Sequence, residues 1–183
     1  MPRDSCTHKL GPLFDYLGSL TERAPVEELK RWLVGLDVDV EDLADYAHFS
    51  DQGYLRNLIG GGEHYHALLM CWRSGQRSPI HNHAGSTCGL RVLRGVATET
   101  VFEKTPSSLV KAISSHDRLC GDVSVSQDAN IHQVSNLQVA GENLITLHIY
   151  SPPLVRMDTY SLTNPRIGEF RPMVVEHALG SGI

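Results

Sequence analysis

With 183 residues, the chain has the size of one domain and is long enough to bury a core without disulfide staples. Its 41% hydrophobic content is ordinary for a globular protein, and its net charge of −5 includes no basic block, which argues against nucleic acid as a partner. No apolar run approaches the roughly 20 residues of a membrane span, and Met1-Pro2-Arg3-Asp4 does not open a secretory leader, so the expected location is cytoplasmic with no membrane partner.

Residues 1–50 read as helical. Leu10, Leu13, Phe14, Leu17 and Leu20 recur at helical spacing. A second segment follows Thr21 and Pro25, with Val26, Leu29, Trp32, Leu33 and Leu36 as its apolar stripe. Asp39 is placed to cap a third, short helix that buries Leu43, Tyr46 and Ala47. Stripes of this kind are core packing and carry no function.

The texture changes near Tyr54. From about 54 to 160 the chain shows short β-rich runs at 66–72, 90–93, 97–102, 123–125 and 144–150. Gly60-Gly61-Gly62, Ser74-Gly75, Ala84-Gly85 and Gly141-Glu142-Asn143 punctuate them. Many short strands at near-regular spacing predict a mainly β fold, an antiparallel sandwich or barrel behind amino-terminal helices. Residues 161–183 read as an extension with one or two more strands and a frayed end at 180–183. No linker divides the chain, so 1–183 is read as one domain.

Four cysteines, Cys6, Cys71, Cys88 and Cys120, form no Cys-x-x-Cys pair. Neither a disulfide framework nor a zinc knuckle fits them. Cys6, Cys71 and Cys120 are read as buried or idle thiols.

Ten histidines are present, and three carry the chemistry. On a strand, His81 and His83 in His81-Asn82-His83 point to one face and reach one ion. His132 lies in a later β run at 130–134. Taken alone, His-x-His is as readily a chance surface pair. The second such pair, His64 and His66, is read as non-ligating because it lacks the flanking motif that surrounds His81 and His83.

The surroundings of His81 are more specific. Gly75, five residues, His81-x-His83, four residues, Cys88, six residues and Gly95 resemble the first cupin motif, with Cys88 where Glu is usual. Gly121 and His132-x-x-x-Asn136 keep the spacing of the second motif, while Gln127 and Ala129 replace its Pro and Gly. The resemblance implies a cupin-type antiparallel β-barrel (a double-stranded β-helix or jelly roll). Without the carboxylate, three neutral imidazoles around a dication accept more anionic charge from a substrate, and a thiolate is a good candidate. Iron and zinc both suit such a donor set.

Four separated segments narrow the family. These are Tyr54-x-Arg56-Asn57-Leu58, Cys71-Trp72 through 78–83 and Cys88, Ile131-His132-Gln133-Val134-Ser135-Asn136, and Leu147-His148-Ile149-Tyr150-Ser151-Pro152-Pro153. Over roughly residues 50–155 they resemble the cysteine dioxygenases, the thiol dioxygenase branch of the cupins. The resemblance implies iron(II), Fe(2+), on His81, His83 and His132, with Arg56 on the substrate carboxylate and Tyr54 beside it. It implies Tyr150 as the active-site tyrosine, oriented by His148 and Thr146, with Trp72 packing near the site. It further implies a thioether between Cys88 and Tyr150. The implied reaction adds dioxygen to the sulfur of L-cysteine to give cysteine sulfinate, in a monomer. Met157 departs from the cysteine that animal members tend to carry near the pocket wall. Ser151-Pro152 is a candidate cis bond.

Other readings stay open from the residues. One is a dioxygenase for 3-mercaptopropionate or a similar thiol, against which Arg56 argues, since such relatives tend to have Gln there. Another is a zinc cupin hydrolase or isomerase, or a cupin that only binds ligand.

Overall fold

The computed structural model describes residues 5–128 and 130–176. Ala129, the Cys6 side chain and the expected frayed end at 180–183 lie outside the described residues. Helix α1 spans Ser5–Gly18 and α2 spans Val26–Val34. The third helical segment, Glu41–Tyr46, is a 3-10 turn rather than an α-helix. Its N-cap is Val40, without a side-chain cap bond, and not Asp39; Asp39 instead pairs with Asp42, its carboxylate accepting the Asp42 N–H at 3.1 Å while the Asp42 carboxylate accepts the Asp39 N–H at 3.0 Å.

Eleven strands follow among the described residues. The first five are β1 (Leu55–Gly62), β2 (Tyr65–Trp72), β3 (Ile80–His81), β4 (Thr87–Arg94) and β5 (Ala97–Lys104). The next three are β6 (Val110–Arg118), β7 (Val123–Gln127) and β8 (Ile131–Ser135). The last are β9 (Leu144–Ser151), β10 (Met157–Tyr160) and β11 (Gly168–Phe170). They form two antiparallel sheets, β1-β2-β9-β4-β7 and β11-β10-β3-β8-β5-β6. The barrel is therefore two facing sheets, a cupin jelly roll, and not one continuously hydrogen-bonded cylinder.

Two apolar clusters flank the five-stranded sheet. On its outer face Leu10, Leu13, Leu29 and Leu33 pack with Ala67, Leu69, Ile145, Leu147 and Ile149. On its inner face Leu68, Met70, Trp72, Leu90 and Val92 pack with Val134, Tyr150 and Met157. Strands β2 and β9 are buried on both faces, which explains their near-continuous apolar sequence. Helix α2 lies so close to β4 that a Cβ on Gly89 would sit 2.5 Å from Leu33 Cδ1. Arg91 of β4 also donates to the Leu33 and Leu36 carbonyls at 2.6 Å, satisfying the carboxy-terminal end of α2.

Some boundaries differ from the sequence reading. Gly60-Gly61-Gly62 is not a turn but the end of β1, where the register shifts between Leu58 and Gly60. A Cβ on Gly60 would lie 2.7 Å from the Phe14 ring, so the glycine admits α1. The glycines of the cupin motifs do sit in turns: Gly75, Gly95 and Gly121 all have positive φ. The tail contributes β11 and a parallel bridge between Val175 and Asn57. The Ser151-Pro152 bond is cis. Among the described residues no helix is long and apolar enough to cross a membrane.

Candidate metal centre

His81 and His132 are direct cross-strand partners in β3 and β8. His83 is not on the same strand: β3 ends at His81, and His83 opens a turn in which the Ser86 N–H returns to the His83 carbonyl at 2.9 Å. Ala84 and Gly85, both at positive φ, reverse the chain there and carry it into β4. A turn, rather than strand alternation, thus brings the second imidazole to the first.

The ring nitrogens of His81, His83 and His132 lie within 4.8 Å of one another, and all three side chains are buried. Each Nδ1 has a partner. His81 Nδ1 meets the Pro79 carbonyl at 2.9 Å, His83 Nδ1 meets Ser126 Oγ at 3.3 Å, and His132 Nδ1 meets Glu99 Oε1 at 2.9 Å. That pattern directs the three Nε2 atoms toward a common point. His83 Nε2 is buried without a hydrogen-bond partner among the described residues. An orphaned acceptor between two other imidazoles fits a metal ion, so the donor set passes that test.

The electrostatics agree. Burial, reinforced by His132, lowers the His81 imidazole to about 3 and holds His83 well below its usual range. Both rings are neutral at pH 7, as ligation requires. Glu99 is the counter-case. Burial raises its carboxyl, but the bond to His132 and the charges of His132 and Arg118 together outweigh it and leave the group at about 2. Arg118 Nε donates to Glu99 Oε2 at 2.5 Å. Sequence reasoning missed Glu99, Arg118 and Ser126. The only available signal was parity, since Glu99 lies on a strand between the inward-facing Ala97 and Val101, the residue opposite His132.

The remaining candidates surround the same point. Tyr54, Arg56, Met70, Trp72, Ser78, His81, His132, Val134, His148 and Tyr150 line one small cavity with about 10 Å³ of space open to a water-sized sphere. Arg56, on β1, is 4% exposed, and its Nε and Nη2 have no hydrogen-bond partner among the described residues. Its guanidinium carbon lies 5.1 Å from the centre of the Tyr150 ring. Tyr54 stacks on Trp72 with ring centres 4.1 Å apart.

A polar chain crosses the inner face of β9. Trp72 Nε1 donates to Thr146 Oγ1 at 3.0 Å, Thr146 Oγ1 meets His148 Nε2 at 3.1 Å, and His148 Nδ1 meets the Tyr150 hydroxyl at 3.3 Å. Burial keeps His148 neutral and raises Tyr150 well above its ordinary value. Cys88 is buried on β4, directly opposite Tyr150 on β9. Burial pushes its thiol up to about 12, against a hydrogen bond with Tyr150 that lowers it. Cys71 is a buried thiol and Cys120 an exposed one; neither lies in the site. His64 and His66 are likewise not part of the ring-nitrogen cluster.

Facing antiparallel sheets with three buried imidazoles between them define a cupin with a metal-binding centre. Comparison with known proteins narrows the class. Residues 11–163 match the family cysteine dioxygenase type I, and the chain belongs to that family. It is thereby an oxidoreductase of the dioxygenase class. It is 31% identical to human cysteine dioxygenase type 1 over 147 residues, covering 78% of this chain and 72% of that one. The bovine cysteine dioxygenase type 1 is 28% identical over 158 residues, 84% of this chain and 77% of its own. Among solved structures, the TT1209 protein of Thermus thermophilus superposes with a TM-score of 0.51 at 18% identity. That match covers 63% of this chain and 98% of that one, and it is a likeness of fold alone.

Proposed function

We propose that the chain is an iron(II) thiol dioxygenase that adds both atoms of dioxygen to the sulfur of L-cysteine, giving cysteine sulfinate, and that residues 1–183 act as one cupin domain. The observation that carries the reading is Arg56. A guanidinium buried with two of its nitrogens unpartnered is costly unless an anion completes it. The anion must be small and must approach from the cavity that the imidazoles line. A substrate bearing both a thiolate and a carboxylate satisfies both ends, and cysteine is the smallest amino acid that does.

His81, His83 and His132 would hold the metal by Nε2. Iron, when held there, supplies a redox-active centre at which a thiolate and dioxygen can meet. The protein's own part is positioning. Arg56 offers a planar bidentate fork that fixes the carboxylate and so the sulfur. The Tyr150 hydroxyl stays protonated because it is buried, and His148 holds it in place over the same cavity. Trp72 and Tyr54 wall the site against water. Met157, 1% exposed, packs in the inner apolar cluster at the position where animal members tend to have cysteine.

The test is reconstitution of metal-free protein with iron(II) or zinc(II), followed by oxygen uptake with L-cysteine, 3-mercaptopropionate and cysteamine. Oxygen consumption is expected with iron only, fastest with L-cysteine, yielding a product heavier by two oxygen atoms. Iron-loaded protein that consumes no oxygen with any of the three thiols would refute the reading.

A further inference from the structure

The metal cavity is narrow, with about 10 Å³ of open space. A second cavity of about 350 Å³ adjoins it, and the two share Tyr54 and Arg56 as a common wall. Beyond those residues its lining includes Arg77, Phe170, Arg171 and Met173, and among the described residues no acidic one.

Three arginines from separate parts of the chain therefore meet around one space, in a protein whose net charge is −5. Arg56 comes from β1, Arg77 from the segment between β2 and β3, and Arg171 from just past β11. Arg171 is partly neutralised by Glu169 at 2.8 Å. Arg77 is exposed and makes no ion pair among the described residues, while its backbone is pinned by a bridge to Ser135. The roof is also anchored. The Val175 N–H donates to the Arg56 carbonyl and the Leu58 N–H donates to the Val175 carbonyl, both at 2.9 Å. A cationic mouth in an acidic protein attracts carboxylates locally.

We propose that the 350 Å³ cavity is an antechamber for small carboxylate-bearing thiols, in which Arg77 captures the carboxylate before Tyr54 yields and Arg56 receives it. This inference rests on reading the inner cavity as a thiol-carboxylate site. It makes Arg77 a positioning residue for entry, not for the reaction. Its contribution is to association and not to the chemical step, so it appears in KM and in salt dependence while kcat stays as it was.

The experiment is anaerobic stopped-flow mixing of iron-loaded protein with L-cysteine or cysteamine, for the wild type, Arg77→Glu and Arg77→Lys, from low to high salt. Arg77→Glu is expected to slow cysteine association about tenfold at low ionic strength, with the difference closing as salt rises. Cysteamine, which has no carboxylate, should not slow. Arg77→Lys should keep most of the wild-type rate, because charge rather than hydrogen-bond shape is at work. Equal cysteine rates for wild type and Arg77→Glu at low salt would overturn the antechamber while leaving the dioxygenase reading intact. A wild type that binds neither thiol would remove both.

Discussion

Cys88 and Tyr150 face each other directly across β4 and β9, both buried, with Tyr150 lining the metal cavity. Side chains paired in this way have Cβ atoms about 4.5–5.5 Å apart. A thioether between the Cys88 sulfur and the Tyr150 ring replaces one S–H and one ring C–H by a C–S bond, and the two protons and two electrons pass to dioxygen as hydrogen peroxide. We expect part of the protein to carry it after turnover with cysteine and oxygen. Peptide mass spectrometry should find a linked pair lighter by two hydrogens. Cys88→Gly should abolish the linked form, leave iron content unchanged and lower activity only partly, since locking a rotamer aids the reactive geometry without creating it. If the two peptides are always separate in fully active, iron-loaded protein, the link does not form.

Arg56 leaves two guanidinium nitrogens without a hydrogen-bond partner among the described residues, so its removal should be read by the substrate and not by the fold. Arg56→Ala is expected to cost about 1.5–3 kcal/mol on cysteine, roughly 10- to 150-fold in kcat/KM. Cysteamine should lose far less. Equal losses on both thiols would mark a folding defect instead.

Iron retention should depend on the imidazoles and, more weakly, on what aims them. Replacing His81, His83 or His132 singly with Ala should remove most bound iron, measured by elemental analysis after dialysis. Glu99→Gln keeps the shape but not the charge beside His132 Nδ1 and Arg118. About 10- to 100-fold faster iron loss is expected for it. Unchanged iron in all three alanine variants would discard the ligand assignment.

Acid should destabilise the metal-free protein. His81 falls from 6.5 to about 3 on burial, and His83 and His148 are lowered in the same direction. The folded state therefore binds fewer protons than the unfolded one below pH 6.5, and stability is lost as pH drops through that value. Each buried ring contributes a slope of up to about 1.4 kcal/mol per pH unit. Glu99, lowered from 4.5 to about 2, adds to the loss further down. The urea midpoint should be level from pH 8 to 7 and then fall steadily to pH 5. A midpoint that holds at pH 5 would show that the rings are not buried neutral.

The parts of this protein that were legible in its sequence are those whose periodicity burial enforces. The stripe Leu29, Leu33 and Leu36 marks α2, and the apolar runs of β2 and β9 mark strands covered on both faces. Strand β6 escaped notice because most of it is exposed and its residues, such as Ser114, Ser115, His116 and Asp117, show no apolar alternation. The three histidines were visible because motif spacing carries them, and Arg56 because its segment resembles that of the cysteine dioxygenases. Glu99 was not, because a single carboxylate on a strand looks like any solvated one until the partner behind it is known. Likewise His83 reached the centre by a turn, which alternation along a strand does not describe.

Strand β9 alternates without a break: Ile145, Leu147 and Ile149 enter the helix-facing core, while Thr146, His148 and Tyr150 form the polar chain of the metal cavity. Parity therefore ties hydrophobic packing to the geometry of the cavity. Deleting or inserting one residue within β9 would exchange the two sets, setting isoleucines and leucine against the metal and a histidine and tyrosine against the helices. Length change in this strand is open to descent only in steps of two, whereas the connection at 105–109 between β5 and β6 can grow or shrink by any number. In a set of related chains, the distance from Thr146 to Tyr150 should be invariant where the β5–β6 hairpin is freely variable in length.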